Sequence, residues 1–265
     1  MSLLPPELYR EIATNLRAPT HRSELLSLSL VSKFWSNESQ RILFRRFCHL
    51  GHTDTDEESE RDRKVHIQFL RTILEHPQRL GRYVESYAQC GLACDRQSVS
   101  DARYSEADWK MEIYLWDLTK KALPAMVNLK HLVFDPALWR ASASNSLLTG
   151  CSFQLEMISW GCDKDVLDLC SSFLPSQHNL LHLDIGRCPG GTTLLELPLY
   201  ACPKLSSVLC NFQSMCHVTE SRSIKALKMS KNHFGQNALQ PLLRHSPALD
   251  RVQYLSLWNY ALFRQ

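Results

Sequence analysis

The chain has no run of about 18 or more apolar residues, the length a membrane-spanning helix needs. Its first residues, Met-Ser-Leu-Leu-Pro-Pro-Glu, lack the basic and apolar segments of a secretory signal, so the expected location is the cytoplasm and/or nucleus. Charge of one sign is equally scarce. The 30 Lys+Arg stand against 27 Asp+Glu, and the whole excess of +3 sits in residues 1–50, which carry seven bases and four acids. No strongly basic domain exists, so neither nucleic acid nor a membrane is an expected partner. Ten cysteines in 265 residues are about 4%, below the roughly 8–10% of a disulfide scaffold. In a reducing compartment Asn37-Glu38-Ser39 is not expected to carry a glycan.

The motifs of catalysis are missing too. There is no C-x-x-C, H-E-x-x-H, G-x-x-x-x-G-K-S/T, G-x-S-x-G or G-x-G-x-x-G, and the one glycine pair, Gly190-Gly191, follows Pro189 in a turn. Cys48, His49 and His52 read as polar surface rather than a zinc set, and Cys90-x-x-x-Cys94 is isolated. The expectation is a protein without catalytic residues, metal or cofactor. Its rival in another class is an enzyme built around the His/Cys-rich middle, which would need those residues to converge in a cleft.

What is present is organised in two parts. Pro5-Pro6 suit a helix start, Glu7 and Glu11 favour its N-terminal half, and Leu8, Ile12 and Leu16 recur at four-residue spacing. After Ala18-Pro19-Thr20, Ser23 is the expected cap of a second helix, buried through Leu25, Leu26, Leu28 and Leu30. Ser32 is the expected cap of a third, carrying Phe34, Trp35, Ile42, Leu43, Phe44 and Phe47. Three short helices cannot bury all of this among themselves, so part of the surface awaits a partner or the rest of the chain. Residues 51–63 hold no large apolar side chain and read as an exposed charged loop. Helical periodicity resumes from Val65 to Leu74 and stops at His76-Pro77.

A repeat then governs the chain. Segments starting at Leu129, Leu155, Leu180, Leu205, Ile224 and Leu249 share the pattern apolar-x-x-apolar-x-apolar, at separations of 26, 25, 25, 19 and 25. Intervals of this size match a leucine-rich repeat of about 20–29 residues. Leu180, Leu183, Ile185, Cys188 and Ile224, Leu227, Met229, Asn232 fit its longer template. A short strand in each unit places residues one, four and six in the core, and adjacent strands pair into a curved parallel sheet. Val166–Leu174 and Ala238–Leu243 are candidate returning helices, and Val84-Glu85-Ser86-Tyr87 a degenerate earlier strand. Third and fifth positions then form an open face: His131, Val133, Met157, Ser159, His182, Asp184, Ser207, Leu209, Ala226, Lys228, Arg251 and Gln253. Their mixed chemistry suits a protein segment better than nucleic acid.

Leu4-Pro5-Pro6-Glu7-Leu8, Ile12, Leu16, Leu28-Ser29-Leu30-Val31-Ser32-Lys33, Trp35 and Leu43-Phe44 stand in the order of an F-box, which residues 1–48 resemble. With the repeats behind it, the chain is similar to the F-box and leucine-rich-repeat proteins numerous in fungi. The resemblance implies an α+β, α/β fold: a three-helix F-box (1–48), a charged linker (49–64), a helical connector with a degenerate repeat (65–128) and an α/β solenoid with a curved parallel sheet (129–265). It also implies partners, a Skp-type adaptor with its cullin ligase core and a target protein. Adaptor contacts would fall on Leu4, Pro5, Leu8, Ile12, Leu16, Leu30, Val31, Trp35 and Leu43. A variant of the same reading is an F-box scaffold that binds the adaptor without ubiquitylation.

Overall fold

The computed structural model describes residues 5–16, 18, 20–49, 56–90, 106–135, 147–161, 169–185, 197–198, 200–210, 224–230 and 252–258. Three helices open it: α1 (Pro6–Thr14), α2 (Arg22–Ser29) and α3 (Lys33–Arg45). Pro5 precedes α1 with Pro6 in its first turn, where a missing N–H costs nothing. Ser32 caps α3 by accepting the Trp35 N–H at 3.4 Å. The expected Ser23 cap is not used, because α2 starts two residues earlier, at Arg22 behind His21, and Ser23 donates instead to Glu24 at 2.8 Å. That bond holds the Glu24 carboxyl below its ordinary value.

Both α1 and α2 pack on α3 around a small core of Ala13, Leu25 and Ile42, with Leu16, Ala18, Trp35 and Leu43 half-buried against it. The expected burial of the whole α2 leucine set does not occur. Leu25 alone of that set is sealed, and Leu26 and Leu30 face solvent.

The helix α3 runs straight into the strand β1 (Arg46–His49), with no residue between them. Seven further strands follow: β2 (Ser86–Cys90), β3 (His131–Asp135), β4 (Met157–Trp160), β5 (His182–Asp184), β6 (Ser207–Cys210), β7 (Ala226–Ser230) and β8 (Tyr254–Trp258). All pair in parallel, and their order across the sheet is their order in the chain. The fold is thus mixed α/β with an open parallel sheet, an arrangement compatible with an α/β solenoid. The sheet begins inside the segment expected to be purely helical.

One backbone device sets the register. The Lys130 carbonyl accepts both Glu156 N–H (2.8 Å) and Met157 N–H (3.0 Å) from the next strand. Carbonyls of Glu85, Glu156, Leu181, Ser206 and Lys225 do the same for the residue pairs that follow them across the sheet. By this register Tyr254 lies opposite Ala226 and Leu255 opposite Leu227, so the last unit starts at Val252, not Leu249. The segment Val252-Gln253-Tyr254-Leu255-Ser256-Leu257 satisfies the same apolar spacing three residues later, which is why the pattern alone chose the wrong frame.

Fourth- and sixth-position side chains such as Leu132, Phe134, Ile158, Trp160 and Leu183 are sealed in one core, with Leu70 and Ile73 of α4 (Asp56–Glu75) and Leu115 and Leu118 of α5 (Glu106–Ala122). The helix α4 corrects the expected charged loop, since residues from Asp56 onward are helical. Acidic residues in the first turn suit the positive end of the helix dipole and Glu60 pairs with Lys64 at 2.8 Å one turn later, so a stretch without large apolar residues still forms helix. The expected returning helix before β5 is, in its described part, a wide turn over Leu169–Phe173 and a tight one over Leu174–Ser176. The stretch 238–243 lies outside the described residues.

Candidate docking surfaces

On α1, at about 100° per residue, Tyr9 and Ala13 face α3 and are buried, while Pro5, Leu8 and Ile12 continue the same apolar arc to one side. Leu8 and Ile12 are 45% and 44% exposed. Tyr9 stacks on Phe34 at 5.6 Å and meets Trp35 edge-on at 4.9 Å, which brings the start of α3 against α1. The turn just before α3 carries Leu30 and Val31, 87% and 67% exposed. Neither has a packing duty in the head. Of the remaining expected adaptor residues, Leu16, Trp35 and Leu43 are half-buried beneath this surface, and Leu4 lies outside the described residues.

The second surface is the sheet face that α4 and α5 leave uncovered. By register, His131, Met157, His182, Ser207, Ala226 and Tyr254 form the third-position row, and Val133, Ser159, Asp184, Leu209, Lys228 and Ser256 the fifth. His182 and Lys228 are exposed, while His131, Val133, Met157, Asp184 and Ser207 are half-buried. Ser159 and Leu209 correct the expectation of a uniformly open row, because both are buried at 7%. Ser159 is drawn down by donating its Oγ–H to Asp184 Oδ2 at 2.8 Å. In the corrected frame Gln253 occupies a second position outside the strand, Tyr254 and Ser256 take the face positions, and Arg251 lies outside the described residues.

Second positions add a ladder of alternating charge. Arg45 pairs with Glu85 at 2.8 Å, and Lys130 with Glu156 at 3.0 Å, on four successive strand entries. The hydrogen bond from Lys130 holds the Glu156 carboxyl below its ordinary value and raises the lysine in turn. These charges pair with each other along the strand entries.

No protein-family model matches the chain. No curated protein matches it either. Among the described residues, no three His, Cys, Asp or Glu side chains gather as a metal site. Cys90 is sealed in β2, and burial pushes the Cys151 and Cys170 thiols up to about 12, so neither ionises near neutral pH.

A buried polar cluster escaped the pattern search. His66 of α4 approaches Tyr87 Oη at 2.7 Å through Nε2, Tyr87 donates to Gln89 Oε1 at 2.8 Å, and Thr119 of α5 reaches the same Oε1 at 2.8 Å. Gln89 holds the sixth position of its unit and His49 that of the unit before, judged from their register with Phe134. A polar residue at the position the pattern requires to be apolar hid the Phe44 unit and left the Val84 unit legible only as a degenerate strand. A scan that tolerated it would have found Phe44-x-x-Phe47-x-His49 and Val84-x-x-Tyr87-x-Gln89.

Proposed function

We propose that the protein is the substrate-receptor subunit of a cullin-based ubiquitin ligase. Its helical head acts as an F-box docked on the Skp adaptor, and its sheet, a leucine-rich-repeat solenoid, holds the target protein. The observation that carries this is the apolar surface of Leu8, Ile12, Leu30 and Val31, whose exposure has no use within the head. The mechanism is proximity. The receptor contributes no chemical step; it raises the effective concentration of a target lysine near the transfer machinery held by the other subunits, in the cytoplasm or nucleus.

The test is co-purification of tagged full-length chain with the Skp adaptor and cullin, beside Leu30→Asp with Val31→Asp. The wild type is expected to capture both partners and the variant neither, with circular dichroism unchanged because both side chains are solvent-exposed. A folded wild type that captures no adaptor overturns the proposal. Capture of adaptor without cullin would reassign the chain as an adaptor-bound scaffold that acts without ubiquitylation.

A further inference from the structure

We propose that the rear of the open sheet face, over β6–β8, holds an extended segment of the target protein whose two acidic side chains pair with Lys225 and Lys228. This deepens the receptor function above and rests on it for the identity of the occupant as a target. The face changes its handling of charge along its length. At the front, the second-position row alternates in sign, and each cation has an acid on the neighbouring strand entry, Arg45 with Glu85 at 2.8 Å and Lys130 with Glu156 at 3.0 Å. Further along the same row the acids stop. Leu181 and Ser206 take the next places, and Lys225 stands between Ser206 and Gln253, both uncharged. In the fifth-position row Lys228 likewise stands between Leu209 and Ser256. Both lysines are exposed, and neither has an ion-pair partner. Among the described residues from 197 onwards, Lys204, Lys225 and Lys228 are met by no Asp or Glu at all. Lys204 donates to Asn179 Oδ1 at 2.8 Å, a neutral partner that leaves its charge uncancelled.

The surface around these lysines has room for one chain. Ser207 and Ala226, small and half-buried, lie side by side in the third-position row, with the exposed side chains of His182 and Tyr254 on the strands to either side. His182 and Tyr254 are three strand intervals apart, roughly 14 Å, so the floor between them is two strands wide and takes a single backbone running along the strands. Lys225 and Lys228 bracket Ala226-Leu227 on that floor, about 10 Å apart at the rise of a strand. Two carboxylates spaced along an extended chain match such a pair. A single phosphate would need donors converging on one point, and no arginine fork stands among the described residues of β6–β8. A basic segment would be repelled, so the uncancelled charge acts as a filter as well as an attraction.

The test uses the full-length chain alone and fluorescence anisotropy with four labelled peptides of one extended, threonine- and valine-rich sequence. The first carries Glu at two positions three residues apart, the second Gln at both, the third Lys at both, and the fourth one phosphoserine with Gln at the other position. In about 50 mM salt the Glu peptide is expected to bind at least about fivefold more tightly than the Gln peptide, the scale two exposed ion pairs supply, and the Lys peptide more weakly than either. The advantage is expected to vanish at about 0.5 M salt, where screening acts within a few ångströms. Lys225→Gln with Lys228→Gln is expected to abolish the preference, and Lys225→Glu with Lys228→Glu to turn it towards the Lys peptide. Lys64→Gln, which removes an exposed lysine from α4, is expected to keep it. Equal binding of the Glu and Gln peptides, or a double Gln variant that binds as the wild type does, overturns the proposal. So does a phosphoserine peptide that outbinds the Glu peptide, because the occupant would then be a phosphorylated segment. Adaptor capture is read separately on the same preparations. Glu preference without adaptor capture would overturn the receptor function and keep the acid-selecting face, whereas capture without preference would do the reverse.

Discussion

A single side chain can fix how three elements meet. Tyr87 sits at the centre of the polar cluster, bonded towards α4 through His66 and near α5 through Thr119, with no exposure to water. Burial pushes its phenol far above its ordinary range, so it stays protonated and able to donate as long as the fold is intact. Thr119→Val keeps the volume but leaves the cluster one hydroxyl short, and is expected to cost about 1–3 kcal/mol in urea denaturation. A loss below a few tenths of that range would mean the cluster is satisfied without Thr119. The cysteines give a second test at this scale. With pKa values of about 12, Cys151 and Cys170 are thiolate in only about one part in ten thousand at pH 8, while Cys48 is exposed. Burial raises Cys48 as well, but peptide mapping after brief iodoacetamide treatment at pH 8 is expected to find Cys48 alkylated well ahead of the other two. Raising the pH should bring Cys151 and Cys170 up only as unfolding exposes them. Equal labelling in the native protein would contradict their burial.

At the scale of elements, the repeat spacing located the strands from β3 to β7, because a period of about 25 residues with core positions one, four and six is a direct consequence of strand pleating. What it could not do was choose between two frames at the last strand, since Leu249 and Val252 both begin the same pattern, and only hydrogen bonding to the Lys225 carbonyl separates them. The part of α4 before Val65 was hidden for a different reason. Its first turns are held by dipole and ion-pair terms, which leave no apolar period to detect. The turns entering the strands also carried a readable but unused signal, Leu-Pro followed by Asn-Leu, at Leu123-Pro124 with Asn128-Leu129 and at Leu174-Pro175 with Asn179-Leu180. Behind the second of these, Gln177 is buried and holds the preceding unit: its Oε1 accepts the Leu155 N–H at 2.8 Å and its Nε2 donates to the Phe153 carbonyl at 3.3 Å. Gln154 returns the favour by accepting the His178 N–H at 3.0 Å. Gln177→Leu strands a buried N–H and a buried carbonyl, and is expected to destabilise by about 1–3 kcal/mol, whereas the exposed partner Gln154→Leu should cost well under half as much. Urea midpoints of the two variants compare them directly, and equal losses would remove the distinction between a sealed bracket and a solvated one.

The whole molecule is joined where a linker was expected. Among its described residues the head buries only Tyr9, Ala13, Leu25 and Ile42 as apolar side chains, too small a core for about 45 residues to stand alone. It is completed from the far side: α3 passes into β1, Phe44 stacks on Phe69 at 5.6 Å, Phe47 stacks on the same ring at 4.1 Å, and Arg45 pairs with Glu85. Helix α3 therefore reaches both cores, with Ile42 and Leu43 in the head's and Phe44 against the sheet's, and the angle between the two candidate surfaces is set by packing rather than by a tether. Such a joint predicts one cooperative transition. In urea followed by hydrogen exchange, peptides from α1–α3 and from β3–β4 are expected to lose protection at the same midpoint. Phe47→Ala should lower both together, by roughly 3 kcal/mol for a large aromatic side chain removed from a packed site. A flexible Gly-Ser insertion between Arg45 and Arg46 should part them, the head melting first because its own core cannot hold it. Two midpoints in the wild type would sink the rigid joint, and with it the fixed placement of the head's exposed apolar surface relative to the sheet face.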